Sequence, residues 1–203
     1  MNEIIQNIQK AFLAQSVLEV IAVISAILYL ILAIRENKWC WFYGFISTSI
    51  YVYLFYSVVL YSESILNVYY LIMAVYGWHQ WDKQGSTVKL KISSLSPSTH
   101  TKILLVCLVL TPLIGYFMDY LGASFPYIDA FVAILAVVAT LMTARKIFEN
   151  WYYWLVVDTL SIYLFWQKDM YLTALLFALY IVLIFIGIRS WKKLMAKQDL
   201  PPN

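Results

Sequence analysis

Charge is scarce in this chain. Asp, Glu, Lys and Arg make up 12% of its 203 residues, while 63% are hydrophobic; a soluble domain carries about a quarter charged residues. No soluble fold of this length could enclose that much apolar surface, so lipid is the expected solvent. Glycine and proline are also few, and no stretch is low in complexity, which confines disorder to the ends. The net charge of +3 is too small to suggest a nucleic-acid partner. There are two cysteines, Cys40 at a segment end and Cys107 inside an apolar run; their spacing suggests no disulfide framework, and they read as two buried small residues. His79 and His100 stand in no metal-ligand spacing, so neither a metal nor a cofactor is expected. A glycine-rich phosphate loop and a serine–histidine pair at membrane depth are both missing. An intramembrane aspartyl protease would need two facing acids, yet Asp119 and Asp129 fall at segment ends. The first ten residues carry Glu3 and Lys10 and lack a positive n-region, so no cleavable leader is expected.

What remains is seven apolar segments, about 11–34, 39–61, 64–81, 101–121, 126–144, 148–167 and 170–190. Each approaches the roughly 20 residues that cross a bilayer as a helix, and the third is the shortest. The expected class is an all-α integral membrane protein with seven transmembrane helices. One long polar connection, 82–100, holds Gly85, Pro97 and several serines and lysines, and reads as a linker. Basic residues divide unequally between the two sides. Lys10 and Lys168 lie on one; Arg35, Lys38, Lys83, Lys89, Lys91, Lys102, Arg145, Lys146, Arg189, Lys192, Lys193 and Lys197 lie on the other. Positive residues stay cytoplasmic. The expected topology in the inner (plasma) membrane therefore has the N-terminus outside and the C-terminus inside, in accord with an odd number of spans.

Shifted by 110 residues, the sequence matches itself without a gap. Arg35 falls on Arg145, Trp41 on Trp151, Leu54 on Leu164, Tyr70 on Tyr180, Gly77 on Gly187 and Trp81 on Trp191. Acidic Glu19 falls on acidic Asp129. Helices 1–3 thus repeat as helices 5–7, and the single crossing of helix 4 gives both triplets the same orientation. The division is a three-helix bundle at 11–81, a linker with the connecting helix at 82–125, a second bundle at 126–191 and a tail at 192–203. Such 3+1+3 parallel repeats serve transporters, whose two bundles rock about a central site. A membrane receptor or assembly scaffold is the competing class, and it needs no such symmetry.

On the sixth helix Trp151, Trp154, Asp158, Ser161 and Phe165 form one helical stripe. Asp158 falls near the midplane, where a bare carboxylate costs at least ~2.5–3.5 kcal/mol, so it should face a polar cavity or a partner. It can compensate a cationic substrate or carry a proton; a protonated Asp bonded to another helix, or an ion pair, would also satisfy it. No Lys or Arg lies at its depth. The tryptophans on its face could stack on a flat ring or cation, or belong to an interfacial belt, although only Trp166 marks the outer interface. The repeat predicts a corresponding face on helix 2 with Trp41, Gly44, Thr48, Tyr51 and Phe55, Thr48 taking the place of Asp158. On helix 3, Asn67, Tyr70, Gly77 and Trp81 share a stripe, and Asn67 can recognise a carbonyl, amine or hydroxyl or bond a neighbouring helix. Glu19 and Asp129 lie toward the outer side, lining an entrance or forming hydrated ends.

The stretches Trp41-Phe-Tyr-Gly44-Phe-Ile-Ser47, Leu60-Tyr61, Tyr76-Gly77-Trp78-His79-Gln80-Trp81 and Tyr171-Leu172-Thr173-Ala174-Leu175 resemble the nicotinamide riboside transporter (PnuC) family. Asn150-Trp151-Tyr-Tyr-Trp154-Leu-Val-Val-Asp158 resembles that family's W-x-x-W-x-x-x-[DN] signature. The resemblance runs from helix 1 to Trp191. It implies a fold similar to the SWEET sugar transporters and uptake of an unphosphorylated vitamin by facilitated diffusion, trapped afterwards by a cytoplasmic kinase. Nicotinamide riboside is the leading substrate, thiamine the alternative, and riboflavin gains nothing from a fixed negative charge. The implied roles are charge compensation by Asp158, stacking by Trp151 and Trp154, and polar contacts from Thr48, Tyr51 and Asn67, with Trp41, Ser161 and Tyr70 on the same faces. Asn67 departs from the Gln expected there, which shortens that contact. Homo-oligomerisation is left open.

Overall fold

A computed structural model describes Gln6 and residues 16–57, 61–82 and 90–198. Among these residues the chain forms seven helices: α1 (Val17–Ile34), α2 (Trp39–Ser57), α3 (Tyr61–Asp82), α4 (Pro97–Tyr120), α5 (Pro126–Ala144), α6 (Asn150–Gln167) and α7 (Tyr171–Gln198). Residues 11–15, Leu60, Lys10, Lys83, Gly85 and Lys89 lie outside the described residues, as does the side chain of Tyr61.

Local chemistry sets the helix ends. Ser16 opens α1 with a capping box: its Oγ accepts from Glu19 N at 3.2 Å, and Glu19 Oε2 accepts from Ser16 N at 2.6 Å. Glu19 therefore serves a helix terminus. Asp129 instead pairs with Lys168 at 3.1 Å. Pro97 and Pro126 stand in the first turns of α4 and α5, where a missing N–H leaves no bond unmade. Three expected boundaries change. The third helix has 22 residues and is not the shortest, α4 begins at Pro97, inside the stretch expected as linker, and not at 101, and α7 runs on to Gln198. Hydropathy marks where a helix is apolar, but a helix continues into water while its propensities and end charges permit.

By length and composition, α1, α4, α5 and α7 are apolar enough to cross a membrane, whereas α2, α3 and α6 fall short. The three polar helices carry every side chain expected at the site. Helices that line a polar path in a bilayer keep one face unsuited to lipid, and that face lowers their hydropathy.

The offset of 110 reappears in backbone geometry. α1 ends with Glu36 N bonded to Ala33 O and Asn37 N to Leu32 O, both at 3.0 Å; α5 ends with Lys146 N to Thr143 O at 3.0 Å and Ile147 N to Met142 O at 2.9 Å. These are the same C-terminal motif at equivalent positions. The ring of Trp41 packs where a Cβ on Gly77 would stand, and the ring of Trp151 where a Cβ on Gly187 would stand. Within each triplet the middle helix packs on its neighbours; between triplets α3 packs on α5 and α1 on α7. The cross-contacts are reciprocal. Trp81 Nε1 donates to Ala144 O at 3.1 Å, and Trp191 Nε1 donates to Ala33 O at 3.0 Å. The Trp81 and Trp191 rings meet at 6.3 Å, and each also meets its own triplet's partner, Trp41 at 5.6 Å or Trp151 at 5.4 Å.

Four buried indoles thus join the triplets at the end rich in basic residues. Trp191→Phe is expected to lower stability by about 1–3 kcal/mol, through a lost buried hydrogen bond and an underfilled site. Thermal unfolding in detergent checks this.

The polar connection before α4 is not a free linker over its described part. Ser93 N donates to Lys146 O at 3.1 Å, Phe148 N donates to Ser93 O at 2.8 Å, and Leu95 N donates to Glu149 Oε2 at 3.2 Å. Residues 93–95 are docked on the α5–α6 turn.

Candidate substrate site

α6 buries Trp151, Asp158 and Ser161 of the expected stripe and leaves Trp154 and Phe165 half-buried. Trp151, Val157, Asp158, Ser161 and Leu164 face inward, at the spacing of one helix face. Asp158 stands half-way along the helix and is 3% exposed, so its carboxylate points into the bundle and away from lipid. Among the described residues the three ion pairs are Lys38–Asp82, Lys146–Glu36 and Lys168–Asp129, and none engages Asp158.

Two tyrosines share its electrostatic environment. Tyr70 of α3 and Tyr180 of α7 both interact with Asp158, and Tyr180 also interacts with Tyr51 of α2. Tyr70 and Tyr180 are repeat equivalents, one from each triplet. Tyr180 was not among the expected contacts; its pairing with Tyr70 in the repeat register was the signal that could have found it. Aromatic pairs occur on the same helices. Tyr51 stacks on Phe55 at 5.5 Å, Phe165 stacks on Phe177 at 5.3 Å, and Phe177 meets Tyr180 edge-on at 5.7 Å.

The other expected residues divide into two groups. Asn67 and Ser161 are buried and Thr48 is half-buried. Asn67 Nδ2 donates to Glu63 O at 2.9 Å, which uses one of its two amide donors. Thr48 Oγ1 donates back to Gly44 O at 2.8 Å. Trp154 is tied to α5: its Nε1 donates to Thr143 Oγ1 at 3.2 Å, and that oxygen also lies 3.2 Å from Asn150 Oδ1. This network sets the plane of the Trp154 ring. Trp41 and Trp151 instead sit about 10 Å along their helices from Thr48 and Asp158, seven residues at ~1.5 Å each, within the indole cluster. At 2% and 1% exposed they are interior, as are Trp81 and Trp191, which removes the interfacial belt as their explanation. Trp39 and Trp166, at 49% and 48%, are the exposed ones. The indole N–H groups of Trp41 and Trp151 are buried without a hydrogen-bond partner.

A buried carboxylate without a basic partner among the described residues can compensate a flat cationic ring, and aromatic side chains can add cation–π contact. Cys40 and Cys107 are buried free thiols. His100 Nδ1 lies 2.9 Å from Tyr153 OH on the basic side.

Known proteins bear on this arrangement. The chain is 28% identical to the nicotinamide riboside transporter PnuC of Escherichia coli (strain K12), over 86% of this chain and 84% of that protein. It is 25% identical to the PnuC of Neisseria mucosa, over 96% and 79%. It is also 25% identical to the riboflavin/roseoflavin transporter RibM of Streptomyces davaonensis, over 88% and 85%. These relatives are transporters, not enzymes. A solved structure described as the crystal structure of the vitamin B3 transporter PnuC superposes with a TM-score of 0.74 at 22% identity, covering 97% of this chain and 91% of that one, and so shares the fold. Residues 16–193 match the family model described as nicotinamide mononucleotide transporter, and the chain belongs to that family of multi-pass membrane transporters.

Proposed function

We propose that this protein takes up a cationic aromatic vitamin or vitamin precursor, nicotinamide riboside first, by facilitated diffusion with alternating access. The observation that carries the reading is Asp158, buried at mid-helix, without a basic partner among the described residues, and within electrostatic reach of the repeat-related Tyr70 and Tyr180. A pyridinium ring brings the missing positive charge and a flat face for the surrounding aromatics. Asp158 compensates the ring charge, Trp154 and the tyrosines enclose it, and Asn67, Thr48 and Ser161 bond the polar remainder. Trp41 and Trp151 support these faces from the indole cluster.

The bundles 11–81 and 126–191 act as the two rocking units, and 82–125 connects them. The basic end faces the cytoplasm, so the N-terminus is outside and the C-terminus inside. Facilitated diffusion only equalises concentrations, so accumulation depends on phosphorylation of the vitamin by a cytoplasmic kinase. Thiamine, whose thiazolium is also a cationic ring, is the second substrate in order. The RibM relative carries a neutral flavin by its name, for which Asp158 supplies no gain.

Purified protein titrated with nicotinamide riboside, thiamine and riboflavin is expected to bind the two cations more tightly than the flavin. In proteoliposomes the tightest binder is expected to show counterflow. Equal or stronger binding of riboflavin overturns the cation reading, and binding without counterflow overturns transport.

A further inference from the structure

We propose that Glu36 and Lys146 form a latch that holds the basic ends of the two triplets together, and that this pair must part before the central site can open on that side. The inference rests on the alternating-access reading. Glu36 Oε1 and Lys146 Nζ lie 2.7 Å apart, and their positions differ by 110, the offset of the repeat. Two equivalent residues in contact must both stand at the axis relating the triplets. Rocking one triplet against the other to open this end pulls that point apart.

The residue choice is unusual for the backbone. Glu36 and Lys146 follow α1 and α5 with φ of 56° and 53°, in the left-handed region that costs a residue with a Cβ about 1–2 kcal/mol. Glycine is the common residue there; Gly122 fills that position after α4, while Asp169 takes it after α6 with φ of 58°. An acid and a base at the two equivalent sites give that cost a purpose. The side chains are 18% and 8% exposed, so water screens the attraction only partly, and Lys146 Nζ stands 4.8 Å from the centre of the Trp81 ring. The bonds beside the pair, Trp81 to Ala144 O, Trp191 to Ala33 O and Ser190 Oγ to Ile34 O at 3.0 Å, also run between triplets and close the same end. The other two ion pairs of the described residues, Lys38–Asp82 and Lys168–Asp129, each stay within one triplet.

The test places spin labels on the exposed, repeat-equivalent His79 and Arg189, as His79→Cys and Arg189→Cys in a Cys40→Ala/Cys107→Ala background, in lipid nanodiscs. Pulsed dipolar spectroscopy then reads the distance between the triplets at this end. Glu36→Gln and Lys146→Ala are each expected to raise the longer-distance population about tenfold. E36K/K146E is expected to restore the short distance, because the pseudo-twofold axis exchanges the two sites and Trp191 takes the part of Trp81. If a single variant fails to fold, E36Q/K146M stands in for it with the same expected shift. Unchanged distributions in the charge-removing variants overturn the latch, as does a swap no shorter than the single variants. The distances need no substrate, so a failure of counterflow and a failure of the latch are told apart.

Discussion

Asp158→Ala is expected to weaken binding of nicotinamide riboside about 100- to 1,000-fold. Opposite unit charges about 4 Å apart interact by ~4 kcal/mol at the effective dielectric of a protein site, and each ~1.4 kcal/mol is tenfold in affinity. The same substitution is expected to stabilise the empty protein, because it removes a buried acid that lacks a basic partner among the described residues. Isothermal calorimetry and thermal unfolding, with and without ligand, separate the two effects. Asp158→Asn keeps the shape without the charge and should lose most of the same affinity. Riboflavin, being neutral, should change only a few-fold in either variant. Unchanged binding of the cation to Asp158→Ala would remove this acid from the site.

The second large effect concerns close approach of helices. A Cβ on Gly77 would stand 2.2 Å from Cε2 of Trp41, and one on Gly187 would stand 2.6 Å from Cη2 of Trp151. Both rings are enclosed by further indoles and cannot withdraw freely. Gly77→Ala and Gly187→Ala are each expected to cost about 3 kcal/mol, at the upper end of overpacking penalties. The sharper test is a double-mutant cycle: in a Trp41→Ala background the clash partner is gone, so Gly77→Ala should then cost less than ~1 kcal/mol. Gly44→Ala serves as the control, since its Cβ would meet Tyr29 Cδ2 at 3.0 Å and a small shift relieves it. Additive costs at Gly77 and Trp41 would disprove the packing account.

The sequence disclosed most where the physics is local or periodic. Low charge and apolar runs marked seven helices, and constant-register Trp, Gly and Arg marked the repeat that the paired Schellman ends at Glu36 and Lys146 display. The stripe through Trp151, Trp154, Asp158 and Ser161 was legible because one face of a helix follows from spacing alone. Less legible were the helix ends at Tyr61 and Gln198, which hydropathy misses where a helix leaves the apolar medium. The tryptophans misled for another reason. An indole near a helix end has the same sequence context whether it faces headgroups or a neighbouring helix, and only the opposing Gly77 and Gly187 surfaces choose between them.

Sequence by itself determined that lipid surrounds this chain, that it is built twice over, and that a single acid falls midway along the sixth helix, because each of these depends on composition or on spacing along one helix. Tertiary structure decided which residues meet: Phe177 against Phe165 and Tyr180, Trp41 and Trp151 inside an indole cluster, and Glu36 against Lys146. Contacts between helices depend on the rotation and depth of each helix against its neighbours. Those are set by the sum of many packing contacts, and no single segment encodes them.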